Sequence, residues 1–291
     1  MKGIILSGGL GTRLYPLTQV VSKQLLPIFD KPMIYYSLSV LLLSEIKDIA
    51  IITTKEDKSK YFDLLGDGSQ LGIKLSYFIQ KEPRGIPEAF IICQQFLQNS
   101  KVMLVLGDNI FYSHGLTPLI HDAKKNLGST IFSYEVVNPE DFGIIEIDDH
   151  NNIISVEEKP EAPKSNLAIT GLYIFDEDVV SISSALKPSL RGELEIVDLL
   201  KNYIKKKKLN HQRLWRGFCW LDTGTPSSLI EAGKFIEIIE KRQGLKVGCL
   251  EEIALRKGFI NKNQFLKNLK SYPKCNYRKY LEKVYGETIR K

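Results

Sequence analysis

The sequence predicts an α/β fold on a mixed, mostly parallel central sheet flanked by helices, and three observations carry this. Apolar runs of strand length recur at residues 3–6, 48–53, 74–78, 102–106 and 130–135. Segments of helical period, such as 33–43, 61–65 and 88–97, separate them. A glycine-rich turn follows the first run directly. Repeated strand-to-helix crossovers give a parallel sheet covered on both faces, with ligands at the C-terminal strand ends. The glycine turn after the first strand and Gly107-Asp108-Asn109 after the fourth both fall on that edge.

After residue 140 the pattern changes. Short strand candidates at 143–147, 153–156 and 168–175 enclose a turn at Asp148-Asp149-His150-Asn151-Asn152, which predicts a mixed-sheet half. From Pro226 onward the period is helical, at 227–242, 261–269 and 276–284. Neither an internal repeat nor a low-complexity linker interrupts the chain, so one compact domain with a helical C-terminal extension is expected.

The first turn reads Leu6-Ser7-Gly8-Gly9-Leu10-Gly11-Thr12-Arg13-Leu14-Tyr15-Pro16, with Lys23 ten residues beyond Arg13. Glycines let the backbone approach an anion and adopt positive φ, while Arg13 and Lys23 supply fixed charge. That is the composition of a triphosphate cradle. A P-loop is excluded because no Gly-x-x-x-x-Gly-Lys-Ser/Thr run occurs, and a dinucleotide fingerprint because Leu14 stands where its third glycine belongs.

Asp108, just past an apolar strand, and Asp222 in Trp220-Leu221-Asp222-Thr223-Gly224-Thr225 are candidate ligands of a magnesium ion carried by nucleotide phosphates. A lone Asp after a strand is also an ordinary turn or cap residue; the glycine loop in the same chain favours the metal reading. Glu157-Glu158-Lys159-Pro160 pairs a hydroxyl-binding carboxylate with a phosphate-binding lysine, a combination suited to a sugar phosphate, although a charged strand end before proline is common. Arg191, before a helix, adds a phosphate clamp of fork geometry. None of the four histidines, His114, His121, His150 and His211, stands in a metal or triad pattern.

Composition excludes several classes. With 291 residues, 43% of them hydrophobic, the chain can bury a full core. It begins Met1-Lys2-Gly3 and enters a strand at once, and no apolar stretch reaches the roughly 18 residues of a membrane span, so a cytoplasmic protein without membrane contact is expected. Cys93, Cys219, Cys249 and Cys275 are scattered, which suggests neither a zinc site nor a disulfide framework. Of the net charge of +6, residues 241–291 hold fourteen Lys and Arg against four acidic residues. There the basic residues interleave with Phe265, Leu266, Leu269, Tyr280 and Leu281 at helical spacing, which reads as solvated faces of docked helices and not as a nucleic-acid arm. Lys205-Lys206-Lys207-Lys208 reads as an exposed helix end.

Several segments together, in order and spacing from residue 1 to about 260, resemble the short-form glucose-1-phosphate thymidylyltransferases. They are Gly8–Thr18 numbered 8–18, Ser22-Lys-Gln-Leu-Leu-Pro27, Asp30-Lys-Pro-Met-Ile-Tyr-Tyr36, Leu106-Gly-Asp-Asn109, Glu157-Glu-Lys-Pro160, Thr170-Gly-Leu-Tyr173, Arg191-Gly-Glu-Leu-Glu-Ile196, Trp220-Leu-Asp-Thr-Gly-Thr225 and Arg242-Gln-Gly-Leu-Lys-Val247. The resemblance implies a Rossmann-like nucleotidyltransferase fold. It also implies a Mg²⁺-dependent reaction of dTTP with α-D-glucose 1-phosphate giving dTDP-glucose and pyrophosphate, the first step of deoxysugar synthesis such as that of dTDP-rhamnose. A homotetramer, a dimer of dimers, is implied as well.

By the same resemblance Gly8, Gly9, Gly11, Thr12, Arg13 and Gln24 would bind the nucleotide, with Gln80, Pro83 and Gly85 about the thymine. Arg13, Lys23, Asp108 and Lys159 would be catalytic, Asp108 and Asp222 would hold metal, and Gly143, Glu158, Lys159, Ile169, Tyr173 and Arg191 would line the sugar phosphate. Residues 1–240 would form the catalytic domain, with a nucleotide half at about 1–140 and a sugar-phosphate half at about 141–225; residues 241–291 would serve assembly or regulation.

Three departures from the family pattern stand out. Pro83-Arg84-Gly85-Ile86-Pro87-Glu88-Ala89-Phe90 replaces Pro-x-Gly-Leu-Ala-Gln-Ala-Phe beside the expected base pocket, Phe142 replaces a tyrosine before Gly143, and Leu250 replaces a proline near a second, regulatory nucleotide-sugar site of the family. The alternatives are the same reaction with UTP or another hexose or amino-sugar 1-phosphate, a nucleotide-sugar-binding subunit without catalysis, and a basic-tailed nucleic-acid binder. Retention of Arg13, Lys23, Asp108 and Asp222 weighs against loss of catalysis.

Overall fold

The structure, a computed structural model, describes residues 1–9 and 11–290, so Leu10 of the glycine loop lies outside the described residues. Strand β1 (Lys2–Leu6) leads through short 3-10 turns into the hairpin β2 (Pro27–Ile28) and β3 (Lys31–Pro32), then helix α1 (Ile34–Leu43) and β4 (Asp48–Thr53). Next come α2 (Lys58–Leu65), β5 (Lys74–Ile79), α3 (Glu88–Ile92), α4 (Gln94–Leu97) and β6 (Val102–Leu106). The middle of the chain forms β7 (Asn109–Tyr112), α5 (Leu116–Ala123), β8 (Ser129–Glu135), β9 (Gly143–Ile147), β10 (Ile153–Glu158) and β11 (Leu167–Phe175). It closes with α6 (Val179–Ser184), α7 (Ile196–Lys205), β12 (Leu209–Leu214), β13 (Cys219–Asp222), α8 (Pro226–Gln243), α9 (Leu250–Arg256), α10 (Lys262–Ser271) and α11 (Asn276–Arg290).

The main sheet runs β10-β9-β11-β6-β1-β4-β5, with β8 along the other side of β11 and β12 beyond β8. Strands β6, β1, β4 and β5 are parallel. β11 is antiparallel to β6 and β8, and β12 is parallel to β8. The continuous apolar runs follow from this: adjacent Ile4 and Ile5 of β1 point to opposite faces, and each is fully buried in a different core. A strand covered on both sides has no solvent face to alternate with, and each buried Ile contributes about 1.5–3 kcal/mol.

Three sequence expectations are modified. The helix expected at 88–97 is broken at Cys93, whose φ of −92° and ψ of 11° leave the helical region and divide it into α3 and α4. The strand at 130–135 does not extend the parallel run, because the long β11 lies between it and β6. β10 also runs on to Glu158, two residues beyond the apolar pattern, since Glu157 pairs with Ile144 and Glu158 with Gly143.

The C-terminal helices do not stand apart from the N-terminal half of the fold. Leu250, Ala254, Phe265, Leu269, Leu281 and Val284 join the same buried cluster as Leu38 and Leu41 of α1 and Ile51 of β4. A buried ionic knot fastens α8 to the β2–β3 hairpin. Lys31 Nζ donates to Glu240 at 2.9 Å, Lys246 Nζ donates to the same carboxylate at 3.0 Å, and both lysines pair with Asp30. Thr225 and Ser228 form a reciprocal capping box at the start of α8. Lys205 ends α7 and lies exposed, as the lysine run predicted. Among the described residues no helix is long and apolar enough to cross a membrane.

His211 of β12 is 8% exposed and lies 2.5 Å from the Ser133 hydroxyl of β8. Burial, with Arg213 nearby, pulls its pKa from 6.5 down to about 4. A depressed imidazole pKa favours the unfolded chain once protons are available, so stability is full above pH 6.5 and is lost as pH falls toward 4. Urea unfolding at pH 7.5 and pH 5 should show about 2 kcal/mol of extra acid destabilisation in the wild type relative to His211→Asn. Equal pH dependence in the two proteins would show that His211 titrates freely.

Candidate active site

The site lies on the C-terminal edge of the parallel strands. Ser7 N–H bonds to Ile52 O at 2.8 Å and Gly107 N–H to Leu6 O at 2.9 Å, so the chain after β1 and after β6 leaves the sheet side by side. Gly11 takes φ 61° and ψ 34°, a left-handed conformation costly to other residues. Its carbonyl accepts from the Thr18 hydroxyl at 2.9 Å and from Leu14 N–H at 2.9 Å, which fixes the turn. Around it is a cavity of about 200 Å³ lined by Gly9, Gly11, Thr12, Arg13, Lys23, Gln24, Asp108 and Gly224.

The side chains beneath the loop are braced from behind. Gln24 Oε1 accepts from the Ser22 hydroxyl at 2.9 Å and from Tyr61 OH of α2 at 3.3 Å. Gln80, 4% exposed at the end of β5, lies under Gly8: a Cβ added to Gly8 would stand 2.3 Å from Gln80 Oε1. Its Nε2 donates to Glu88 at 2.7 Å.

A two-stranded ribbon brings the aspartates together. β13 pairs antiparallel with β7, setting Asp222 opposite Asn109 and hence beside Asp108. Thr223 donates its N–H (3.2 Å) and hydroxyl (2.8 Å) to the Asp108 carbonyl. Lys23 Nζ, on a residue 6% exposed, donates to Asp108 Oδ2 at 2.6 Å. The Asp222 carboxyl is pushed above the usual carboxylate range by burial and by the charge of Asp108, against the pull of Lys23, Arg13 and Lys159. Asn109 is the keystone: its Nδ2 donates to Asp108 Oδ1 at 2.9 Å, and its Oδ1 accepts from Gly171 N–H at 3.0 Å and Trp220 Nε1 at 2.6 Å.

The β9–β10 hairpin forms the second wall. Gly143 and Glu158 face each other across it, and a Cβ on Gly143 would lie 3.2 Å from Glu158 Oε2 and 3.6 Å from Ile169. Burial raises the Glu158 pKa, partly countered by Lys159. Lys159 takes φ 44°, a left-handed value that strains a non-glycine residue, and its N–H is held by Phe142 O at 2.9 Å. Tyr173 of β11 is 3% exposed, and the Glu158 charge and its burial both raise its pKa. Beside Asp222 opens a cavity of about 570 Å³ whose lining includes Arg13, Asp141, Phe142, Trp220 and Asp222.

The nucleotidyl transferase family model matches residues 2–238. The glucose-1-phosphate thymidylyltransferase of Neisseria gonorrhoeae is 51% identical over 99% of this chain and 100% of its own length. The chain belongs to the glucose-1-phosphate thymidylyltransferase family. Its Mycolicibacterium smegmatis relative of the same name is 48% identical over 97% of this chain and 98% of its own. Among solved structures, a Bacillus anthracis protein crystallised with sucrose superposes with a TM-score of 0.75 at 40% identity, covering 81% of this chain and 94% of that one. A UDP-glucose pyrophosphorylase complexed with UDP-glucose superposes with a TM-score of 0.72 at 26% identity, over 83% of this chain and 99% of that one.

Of the residues singled out from the sequence, Gly9, Gly11, Thr12, Arg13, Lys23, Gln24 and Asp108 line the smaller cavity, Arg13 and Asp222 the larger one, and Gly143 and Glu158 face each other on the hairpin near Ile169. Pro83 and Gly85 sit farther out: Pro83 is exposed, and the loop is tied to the segment before α7 by Leu194 N–H donating to Arg84 O at 2.8 Å. The added Arg84 charge is turned to Glu82 at 2.8 Å on the surface. Arg191 donates from one nitrogen, Nη2, to both Glu195 oxygens at 3.0 Å, and its charge acts on Glu158, lowering that carboxyl's pKa against the rise from burial. Leu250 is 1% exposed in the α9 core and does not line the cavity of about 530 Å³ formed by Ser39, Tyr112, Gln243, Lys246, Val247 and neighbours in the region where the family resemblance implied a second nucleotide-sugar site. Sequence reasoning missed Asn109 as a positioning group, although it stood beside Asp108 in the quoted motif. Its partners arrive from Gly171 and Trp220, and no local pattern announces them.

Asn109→Ala leaves the buried Gly171 N–H and Trp220 Nε1–H without an acceptor and frees the Asp108 carboxylate. A loss of about 3 kcal/mol of unfolding free energy is expected, at about 1–3 kcal/mol per orphaned group. Urea denaturation measures it, and a change below about 1 kcal/mol would show that water replaces the amide.

Proposed function

We propose that the protein transfers a thymidylyl group from dTTP to α-D-glucose 1-phosphate, releasing pyrophosphate and forming dTDP-glucose, the first step of deoxysugar synthesis, with Mg²⁺ as cofactor. One observation carries the reading: the charges of Asp108, Lys23, Arg13 and Lys159, which come from the glycine loop, the strand ends and the end of the β9–β10 hairpin, all act on Asp222, and Lys23 pairs with Asp108. A nucleotide triphosphate and a second phosphate ester need such a meeting point.

In this reading a phosphate oxygen of the sugar 1-phosphate attacks the α-phosphorus, the bond from that phosphorus to the bridging oxygen breaks, and its electrons leave with pyrophosphate. The attacking oxygen is already anionic, so the site needs no general base, consistent with the absence of a histidine among the converging side chains. Its task is to bring like charges together. Two unit charges 4 Å apart repel by about 4 kcal/mol at an effective dielectric of 20. Arg13 and Lys23, lining the loop cavity, offset that repulsion on the triphosphate side, and Lys159 does so on the sugar-phosphate side. Glu158, half-buried beside Gly143 and Ile169, and the buried Tyr173, which feels its charge, would accept from and donate to sugar hydroxyls. Gln24 and Gln80, with Gly8 and Thr12, complete the nucleotide side.

Asp108 and Asp222 fit a divalent cation, because burial and mutual repulsion leave Asp222 short of compensating charge. Among the described residues no cluster of three or more His, Cys, Asp or Glu closes a cage, as suits a magnesium ion that keeps water and phosphate oxygens among its ligands. When bound, Mg²⁺ supplies charge neutralisation at the reacting phosphates. A homotetramer is part of the proposal; Ile230 and Ile238 on α8, 61% and 58% exposed, and Trp215, 62% exposed, offer apolar surface for it.

Pyrophosphate release should require a divalent ion and glucose 1-phosphate, with dTTP the best of the five common nucleotides and UTP slower by roughly ten- to a hundredfold, since one methyl contact is worth about 1–3 kcal/mol. Asp108→Asn and Asp222→Asn should each lower kcat by about a hundredfold or more. Full turnover in excess EDTA, or near-normal rates in both variants, would overturn the metal assignment; a purine nucleotide as best substrate would overturn the reaction.

A further inference from the structure

Gln80 is nine-tenths or more buried at the end of β5, and its carboxamide has one strong partner, the Glu88 carboxylate, at 2.7 Å from Nε2. A carboxylate offers only acceptors, so an amide touching it must turn its NH₂ toward it. The other end, Oε1, is thereby aimed at the glycine loop, close enough to Gly8 that a Cβ there would meet it at 2.3 Å. Among the described residues nothing donates to that oxygen. The family pattern quoted above has glutamine where this chain has Glu88, and a glutamine could meet either end of the Gln80 amide.

We propose that Glu88 is a positioning residue that locks the orientation of the Gln80 amide and so makes this chain select keto pyrimidines against cytosine. One Nε2 hydrogen is held by Glu88. The other stays beside Oε1, and together they present an acceptor and a donor on one edge. Uracil and thymine offer the complement, an N3–H donor beside the O4 acceptor; cytosine offers the reverse, a bare N3 beside an amino group. To read cytosine the amide must flip, which sets Oε1 against the Glu88 carboxylate, two acceptors in contact with no hydrogen between them. Such a mismatch leaves buried polar groups unpaired, the strongest form of discrimination a pocket has.

The inference rests on Gln80 facing the base, as in the proposed reaction. The test compares kcat/KM for dTTP and dCTP, with glucose 1-phosphate and pyrophosphate release as readout, in wild type, Glu88→Gln, Glu88→Ala and Gln80→Ala. Both Glu88 variants should narrow the dTTP preference at least tenfold, with the change carried by KM for the two nucleotides and not by kcat. Two variants are used so that one that folds poorly leaves the other to decide. If Gln80→Ala narrows the preference and neither Glu88 variant does, the lock is overturned while the base reading stands. If Gln80→Ala leaves the preference as in wild type, Gln80 does not face the base and the inference falls with that part of the reading.

Discussion

The repulsion between Asp108 and Asp222 is the interaction around which the site is organised. Left to themselves, two carboxylates on neighbouring strand ends would move apart or share a proton. The β7–β13 ribbon prevents the first by fixing both backbones, and Thr223 stitches Asp222's strand end to the Asp108 carbonyl with two hydrogen bonds. Lys23, almost fully buried, and Asn109 hold the Asp108 carboxylate from two sides. Burial, and after it the Asp108 charge, raise the Asp222 pKa against the pull of Lys23, Arg13 and Lys159. Two carboxylates held at one point among the charges of Lys23, Arg13 and Lys159 fit the proposed cation carried in with polyphosphate.

Holding like charges in place requires a rigid frame, and the sheet provides it. β1, β4 and β6 are buried on both faces, so the loops that follow them are anchored by residues with no freedom to shift. The β2–β3 hairpin, which follows the Lys23 turn, is locked to α8 by the Lys31–Glu240–Lys246 knot. Breaking one member of such a buried group is costly because it strands the opposite charge. The C-terminal helices add their apolar faces to the core behind α1. Their buried Glu251 accepts from Tyr272 and Tyr277 and their Glu252 from Tyr280, so they are fastened by polar groups as well.

The parallel strands and the glycine loop were legible in the sequence because their cause is local: burial on both faces produces an unbroken apolar run, and a left-handed turn needs glycine at position 11. Asp108 was legible as a residue past a strand. Its pairing with Asp222 through a ribbon was not, since the pairing of Cys219–Asp222 with Asn109–Tyr112 is set by the path of the chain between them. The same holds for Arg191, whose guanidinium suits a phosphate in the sequence but pairs with Glu195 four residues on, in the loop before α7. Helical apolar faces at 261–269 and 276–284 were visible; that they join α9 in the core behind α1 within the same chain is tertiary information. Glu88 was visible only as a departure from a pattern, and its meaning appeared once β5 and α3 placed it on Gln80.

The most direct test of the account is the affinity of the aspartate pair for a divalent ion, read by electron paramagnetic resonance of Mn²⁺ in the presence of saturating dTTP. The account expects tight Mn²⁺ binding in the wild type and at least tenfold weaker binding, about 1.4 kcal/mol or more, in both Asp108→Asn and Asp222→Asn. Mn²⁺ bound equally well by all three proteins would mean that the nucleotide alone carries the metal, and that the two carboxylates are held together for some other reason.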